Sequence, residues 1–351
     1  MQFKKIFLCF VCTVISCNEV FALNILGIFP YQGKSHFFVF EPYLHELARR
    51  GHNLTVISYF PQQTPIENYH DISLAGKAKI LEGVFPVHRS YWTVVQIASF
   101  LYEMGIENCN VMLADENVQN LWKSEAKFDV VLVEQFNSEC SLGLAYKLGA
   151  PVVGLTSHKL MPWHYEQFGV QYNPSYVQLM FLEGGTKPSL LETIERIIVQ
   201  AYLTSMYRYK VIRGNEQTLQ QYFDDVPPLE LLARDIKLSL LYTNYVLTDA
   251  NLFPPIIKEV GGYHVAKPKE LPEELKKFIE ESKHGVIFIS FGSMLRPDLT
   301  PQDKVEEIVA AISELPQRIV WKWDAKLPKN PKNVYTSKWL PQNDILGLEE
   351  K

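Results

Sequence analysis

The stretch from Asn24 to Ser58 restricts the fold of this chain more than any other. It reads NILGIFPYQGKSHFFVFEPYLHELARRGHNLTVIS, with an apolar run at its start and a β-branched run at its end. Between them lie apolar residues at helical spacing, namely Phe37, Phe40, Leu44, Leu47 and Ala48. Gly51 then ends the helical pattern. This order predicts a β-α-β unit with parallel strands and a right-handed crossover.

The loop between the first strand and its helix carries a histidine, His36, in the sequence QGKSH. Ligands of parallel sheets bind beyond the carboxyl ends of the strands, which is where this loop lies. An imidazole titrates near neutral pH, so His36 is a candidate general base, although an ordinary solvated histidine is the alternative. Glu134 and Glu139 follow the apolar strand Phe128–Val133 and are candidate partners for the imidazole.

The chain as a whole has the pattern of a doubly wound α/β protein. Its 351 residues suffice for two domains, and strand and helix patterns alternate through its first half. Further predictions are a long loop over Pro61–Lys77, a long helix over Leu190–Phe223 and a strand over Leu238–Leu247. A second α/β unit begins at Gly285 with GVIFISFGSM, a strand followed by a glycine turn.

Residues 1–22 have the pattern of a secretory signal peptide. Lys4 and Lys5 precede the apolar run Ile6–Ile15, and Val20–Ala22 fits a cleavage site. A retained membrane anchor is the alternative, but the apolar run is short for one. We therefore expect the mature chain to begin near Leu23 and to enter the secretory pathway.

Two other features of the sequence, its cysteines and a glycosylation sequon, depend on whether the chain is secreted. Only Cys109 and Cys140 lie beyond the signal peptide, and they either pair or stay reduced. Asn53 begins the tripeptide Asn-Leu-Thr, which is a glycosylation sequon in a secreted chain and a chance tripeptide otherwise.

Composition and motifs argue against several function classes. The net charge is −5 and the basic residues are scattered, which gives no electrostatic support for a nucleic-acid partner. The sequence contains no HExxH and no paired CxxC, so no metal site is predicted. After the amino-terminal run no segment reaches the length of a membrane span, so we expect no second anchor in this chain.

Six segments together resemble the animal UDP-glycosyltransferases, the glucuronosyl and glucosyl transferase family. They are GKSHFFVFEPYLHELARRGHNLTVIS, KFDVVLVEQFNSEC, LMPW, EVGGYHV, GVIFISFGSM and KWLPQNDILG. The resemblance implies the GT-B fold, with two facing Rossmann-like domains of which the second is incomplete. It implies an acceptor-binding domain over residues 23–265, a linker over 266–284 and a partial UDP-sugar-binding domain over 285–351.

The resemblance also implies a reaction. A glucosyl or glucuronosyl group would pass from UDP-glucose or UDP-glucuronate to a hydroxyl of a small lipophilic acceptor, with inversion and without a metal or other cofactor. His36 would be the base. Glu134 would orient it by its place at the strand end, where the family has an aspartate, and Glu139 is the alternate.

On the donor side, the resemblance assigns a role to a serine in a glycine turn and to a tryptophan with its neighbours. The serine would contact the diphosphate, the tryptophan would stack on uracil, the leucine would lend its backbone and the glutamine would contact the ribose. These residues are Gly292, Ser293, Trp339, Leu340 and Gln342. The alternatives are that Gly292 and Ser293 form an ordinary turn and that Trp339 is a core tryptophan.

The resemblance ends near Gly347. The phosphate loop of the family and the membrane anchor expected in full-length relatives do not follow in this chain. The alternative function is therefore a non-catalytic isoform or fragment, secreted, that binds acceptor or pairs with other subunits as a homo- or hetero-oligomer.

Overall fold

The structure is a computed structural model that describes residues 22–81, 92–182, 184–248, 251–292, 300–329 and 331–348. Within these ranges the chain forms two parallel β-sheets flanked by helices. The signal peptide prediction, apart from Ala22, and the candidate donor residue Ser293 lie outside the described residues.

The larger sheet has seven strands in the described residues. They are β1 (Asn24–Phe29), β2 (Asn53–Ser58), β3 (Tyr69–Ser73), β4 (Val130–Glu134), β5 (Val152–Leu155), β6 (Leu238–Leu241) and β7 (Ile257–Glu259). Their order is β3-β2-β1-β4-β5-β6-β7, and all neighbours are parallel. The chain builds outward in one direction from β1 and in the other from β4. The switch point of the sheet therefore lies between β1 and β4.

Eight α-helices accompany this sheet in the described ranges. They are α1 (Lys34–Arg49), α2 (Thr93–Ala114), α3 (Glu116–Lys123), α4 (Cys140–Lys147), α5 (Leu190–Met206), α6 (Arg213–Leu219), α7 (Leu229–Arg234) and α8 (Tyr245–Thr248). A 3₁₀ turn at Pro162–His164 and a π-helical segment at Tyr207–Ile212 connect parts of this layer. Among the described helices, none combines the length and the apolar character needed to cross a bilayer.

The opening β-α-β unit forms as predicted. α1 buries the apolar face read from the sequence, with side chains Phe37, Phe40, Leu44 and Ala48. Phe29 of β1 stacks on Phe40 with ring centroids 4.8 Å apart. Each large apolar side chain buried in this way contributes about 1.5–3 kcal/mol. The helix ends before Gly51, whose φ of +90° suits a residue without a side chain.

The smaller sheet has three described strands, β8 (Val286–Ile289), β9 (Arg318–Lys322) and β10 (Val334–Ser337), in the parallel order β10-β9-β8. Its helices are α9 (Glu273–Glu280), α10 (Gln302–Ser313) and α11 (Gln342–Leu346). Leu275 of α9 is buried in one cluster with Val320 and Ile345. Residues 266–284, predicted to be a linker, thus include a helix that packs against this sheet.

Three secondary-structure predictions are wrong in part. Pro61–Lys77 includes β3, which pairs only with β2 and leaves its polar residues exposed, so that no apolar pattern marks it. The strand predicted over Leu238–Leu247 ends at Leu241, and the apolar residues after it lie exposed on α8. The helix predicted over Leu190–Phe223 contains the π-helical segment and ends at Leu219.

Candidate active site

His36 and Glu134 meet at the switch point of the larger sheet. Nδ1 of His36 lies 2.7 Å from Oε1 of Glu134. Glu134 is the last residue of β4, and His36 lies in the first turn of α1, which follows the neighbouring strand β1. The Glu134 side chain is 3% exposed and the His36 side chain 19% exposed, so the carboxylate is buried while the imidazole remains accessible. Because an ionised carboxylate only accepts, Nδ1–H donates this bond, and in the neutral imidazole Nε2 then carries the lone pair.

Glu139, the alternate carboxylate, belongs to a separate buried cluster. Its Oε1 lies 3.0 Å from Nε2 of His164, and it accepts a hydrogen bond from the hydroxyl of Tyr207 at 3.2 Å. Burial, and then the Glu139 carboxylate, raise the pKa of Tyr207 well above its usual value. The structure therefore brings Glu134 to His36 and places Glu139 elsewhere.

The loop that follows Glu134 is held by hydrogen bonds and by close packing. Trp163 Nε1 donates to the carbonyl of Phe136 at 2.7 Å, and the Asn137 side chain donates to the carbonyl of Leu101 at 2.9 Å. α2 passes so close at Gly105 that a Cβ there would lie 1.7 Å from the Asn137 carbonyl oxygen. A residue larger than glycine at this point would displace the loop.

A disulfide between Cys109 and Cys140 joins α2 to the start of α4. Both residues are fully buried. The sequence left their pairing open, and the structure shows that they pair. Because Cys140 follows the loop after β4, this bond anchors the far end of the segment that begins at Glu134.

Aromatic rings flank the imidazole of His36. Tyr31 and Phe136 each lie with ring centroids 4.5 Å from it, and His158 lies at 5.5 Å. His158 Nδ1–H donates to the carbonyl of Lys159 at 2.6 Å. Burial, with a smaller contribution from His36, lowers the pKa of His158 from 6.5 to about 3, so this second histidine is neutral at physiological pH.

Sequence motifs did not single out Tyr31, Phe136 or His158 as neighbours of His36. They come from three different loops, and their approach depends on the tertiary fold. Tyr31 follows Pro30 in the same βα loop that leads to His36. Of the three contacts, this one was therefore the easiest to predict from the sequence. No local spacing signals the other two contacts.

The candidate donor residues lie at the carboxyl edge of the smaller sheet. Gly292 follows β8 and has a φ of +79°, which suits glycine. Trp339 precedes α11 and is 50% exposed. Lys322, at the end of β9, connects the two. Its Nζ donates to the Gly292 carbonyl at 2.8 Å and lies 5.9 Å from the centroid of the Trp339 ring.

The remaining donor predictions are less closely grouped. Leu340 is buried with Val320 in the core beside the smaller sheet, so its side chain is not available to a ligand. Gln342 is exposed at the start of α11 and its N–H donates to the Leu340 carbonyl at 2.8 Å. Ser293 lies outside the described residues.

The two sheets approach each other where α1 meets Trp339. Lys34 Nζ lies 4.4 Å from the centroid of the Trp339 ring, and the Phe38 ring stands edge-on to it at 6.4 Å. Lys34 is two residues from His36. The candidate base and the candidate uracil-stacking residue therefore lie at the same junction between the sheets.

Metal-binding residue types do not cluster in the part of the chain that the structure describes. No group of three or more histidine, cysteine, aspartate or glutamate residues there could hold a metal ion. That the reaction needs no metal stays a prediction.

Comparison with known families assigns the chain to one of them. The profile of the family described as "UDP-glucoronosyl and UDP-glucosyl transferase" matches residues 60–350. This chain belongs to that family. Its members transfer a sugar from a UDP-sugar, and the chain is accordingly a UDP-glycosyltransferase sequence, as its motifs indicated.

Curated relatives agree with this assignment. UDP-glucosyltransferase 2 of Dactylopius coccus is 30% identical over 99% of this chain and 68% of its own length. UDP-glucuronosyltransferase 2B1 of Rattus norvegicus is 28% identical over 89% of this chain and 63% of its own length. The UDP-glycosyltransferase chain thus spans about two thirds of the length of these relatives.

Solved structures agree with the predicted fold. UGT71G1 of Medicago truncatula, complexed with UDP-glucose, gives a TM-score of 0.53 at 14% identity over 93% of this chain and 73% of its own. Os79 of O. sativa, in complex with U2F and trichothecene, gives 0.51 at 11% identity over 92% of this chain and 74% of its own. At such identities the likeness shows the fold alone, which is GT-B as predicted.

Proposed function

We propose that this UDP-glycosyltransferase chain transfers a glucosyl or glucuronosyl group to a hydroxyl of a small lipophilic acceptor, with His36 as the general base. The observation that carries this proposal is the 2.7 Å contact between His36 Nδ1 and Glu134 Oε1. It occurs at the switch point, the place where open parallel sheets bind their ligands. A buried carboxylate that fixes the tautomer of a more accessible imidazole is the usual arrangement of a catalytic base.

His36, Glu134 and the two substrates account for the proton and the electron pairs of the proposed reaction. Nε2 of His36 takes the proton of the acceptor hydroxyl as its oxygen attacks the anomeric carbon of the sugar. The bond from that carbon to the β-phosphate oxygen breaks, and UDP leaves with the electron pair. Because attack comes from the face opposite the leaving group, the configuration inverts. The Glu134 carboxylate stabilises the imidazolium that forms.

The surroundings of His36 support an apolar acceptor. Tyr31 and Phe136 pack against the imidazole and against each other, with their ring centroids 4.8 Å apart, and both are buried. His158 adds a third ring that stays uncharged because of its low pKa. A lipophilic alcohol that reaches His36 therefore meets an apolar surrounding, whereas a charged acceptor would lose hydration there.

The donor side supports a UDP-sugar. Trp339 is half exposed and offers an aromatic ring for base stacking, and the Lys322 ammonium lies at the turn beside Gly292, where a phosphate would meet a positive charge. UDP-glucose and UDP-glucuronate are both candidates. No metal and no other cofactor takes part in the proposed reaction.

Two features support a secretory location, with the lumen of the endoplasmic reticulum as the proposed compartment. The Cys109–Cys140 disulfide is typical of an oxidising compartment. Asn53 of the sequon is exposed at the amino end of β2, at the sheet edge opposite to His36, so that a glycan there would not obstruct the site.

The test is transfer by the chain and by its His36→Ala variant, measured as glycoside formed from each UDP-sugar. We expect His36→Ala to lower the rate by about 10²–10⁴-fold. His45→Ala is a matched control, because His45 lies on the same helix but outside the site. Its Nε2 lies 3.1 Å from Oε1 of Gln62. A His36→Ala variant with the wild-type rate would contradict the proposal. Acceptor binding without any transfer by the wild type would favour the acceptor-binding alternative.

A further inference from the structure

The contact between Lys34 and Trp339 points to a donor-binding role for a residue of the larger sheet. We propose that the Lys34 ammonium, which lies over the Trp339 ring, pairs with the diphosphate of the UDP-sugar once uracil occupies that ring. This inference rests on the proposed function, because it takes Trp339 as the stacking surface for the base.

The geometry places the ammonium where a base would stack. Lys34 Nζ lies 4.4 Å from the centroid of the Trp339 ring and 5.1 Å from that of Phe38, both within the range of a cation–π contact. We take the ring face that Lys34 covers as the face on which the nucleobase stacks at van der Waals distance. The ammonium and the base therefore exclude each other, and donor binding must displace Lys34.

The ammonium of Lys34 has no acidic partner among the described residues. Its contacts there are the two aromatic rings. A cation–π contact at a site that is not fully desolvated is weak, whereas a charge-assisted hydrogen bond to a phosphate is about twice as strong as a neutral one. Lys34 can thus leave the ring at small cost, and a diphosphate offers it a stronger partner.

A second lysine approaches the same ring from the smaller sheet. Lys322 Nζ lies 5.9 Å from the Trp339 centroid and is fixed by its hydrogen bond to the Gly292 carbonyl. Two ammonium groups next to one ring repel each other, and an anion between them removes this repulsion. The turn at Gly292, where the diphosphate is expected, lies beside this pair of charges.

The position of Lys34 in the sequence adds a consequence for catalysis. Lys34 is the first residue of α1 and His36 is the third. When Lys34 binds the diphosphate, the start of the helix that carries the base is held against the donor. Lys34 is therefore a residue through which donor binding positions His36.

The experiment measures the dissociation constants of UDP and of uridine by titration calorimetry. Lys34→Gln removes the charge, Lys34→Arg keeps it, and Lys304→Gln is a control at an exposed lysine of α10 that pairs with Glu307. We expect Lys34→Gln to weaken UDP binding about tenfold, the loss of one charge-assisted hydrogen bond, and to leave uridine binding unchanged or tighter, because the ring face loses its competitor. Lys34→Arg and Lys304→Gln are expected to bind both ligands as the wild type does.

Two results would overturn the inference. Lys34→Gln with wild-type affinity for UDP would show that the lysine does not reach the phosphates, and an equal loss of UDP and uridine would show a structural role only. A wild-type chain that binds no UDP would contradict it as well. Binding requires no transfer, and His36→Ala is expected to bind UDP normally. A failure of the proposed base is thus distinguishable from a failure of the donor contact.

Discussion

The hydrogen bond between His36 and Glu134 joins two residues that lie 98 positions apart in the sequence. It forms because β1 and β4 are adjacent parallel strands, so that the loop after β1 and the last residue of β4 share one edge of the sheet. Burial of the carboxylate protects this bond from water. The orientation of the imidazole therefore depends on the topology of the sheet.

Replacement of Glu134 tests this relationship. Glu134→Gln keeps the shape but loses the charge that stabilises an imidazolium, so we expect kcat to fall about 10²-fold with a smaller change in the KM of the acceptor. Glu134→Asp keeps the charge but is shorter by one methylene, and we expect an intermediate loss. Steady-state kinetics of the three proteins would measure both effects. Unchanged kcat in Glu134→Gln would remove the carboxylate from the mechanism.

Glu139 is predicted to matter for stability and not for catalysis. Glu139→Ala leaves His164 and Tyr207 buried without their shared acceptor, which should lower the free energy of unfolding by about 3 kcal/mol. The kcat per folded molecule should stay near the wild-type value. Urea unfolding and an assay corrected for the folded fraction would measure the two quantities. A loss of kcat as large as that of Glu134→Gln, at full folding, would contradict this division of roles.

The Cys109–Cys140 disulfide closes a loop with a sequence separation of 31. On the chain-entropy view, such a cross-link stabilises the folded state by about 3–4 kcal/mol. The double variant Cys109→Ala/Cys140→Ala should lose this amount in denaturant unfolding. A double variant as stable as the wild type, or two titratable thiols in the native protein, would show that the bond is absent or without effect.

The low pKa of His158 should make the folded chain less stable at acid pH. Its pKa is about 3 when folded and near 6.5 when unfolded, so between these pH values the unfolded chain binds a proton that the folded chain does not. This contribution to stability is complete above pH about 6.5 and is lost as the pH falls, with a slope of up to about 1.4 kcal/mol per pH unit.

His158→Phe keeps the ring and removes the proton site. Unfolding curves of the wild type and this variant at several pH values between about 4 and 7 would give the two slopes. The variant should lack the slope due to His158. Equal slopes in the two proteins would contradict the low pKa.

The sequence predicted the elements whose patterns are local. The β-α-β unit at Asn24–Ser58 and the position of Glu134 at a strand end follow from apolar periodicity and strand order. β3 and β7 escaped prediction because both lie far from the centre of the sheet and carry exposed polar residues, so that neither has an apolar run. α9 escaped because its short amphipathic pattern lies between proline-rich and glycine-containing segments.

The parts of the site that could not be predicted are the contacts between distant loops. The choice between Glu134 and Glu139 depends on a geometric detail, namely that Glu139 lies beyond the strand and turns towards His164. The rings around His36 and the approach of Lys34 to Trp339 join segments that share no sequence pattern. Such contacts depend on how the layers pack, which no periodicity encodes.

The most direct test of His36 as the general base is how the loss in His36→Ala depends on the acidity of the acceptor. A base is needed only when the acceptor hydroxyl still carries its proton. With phenols that are protonated at the assay pH, we expect His36→Ala to lose about 10²–10⁴-fold in rate. With phenols that are already ionised, the loss should shrink towards a small factor. An equal loss across the whole series would contradict proton abstraction by His36 and would leave it with a binding role only.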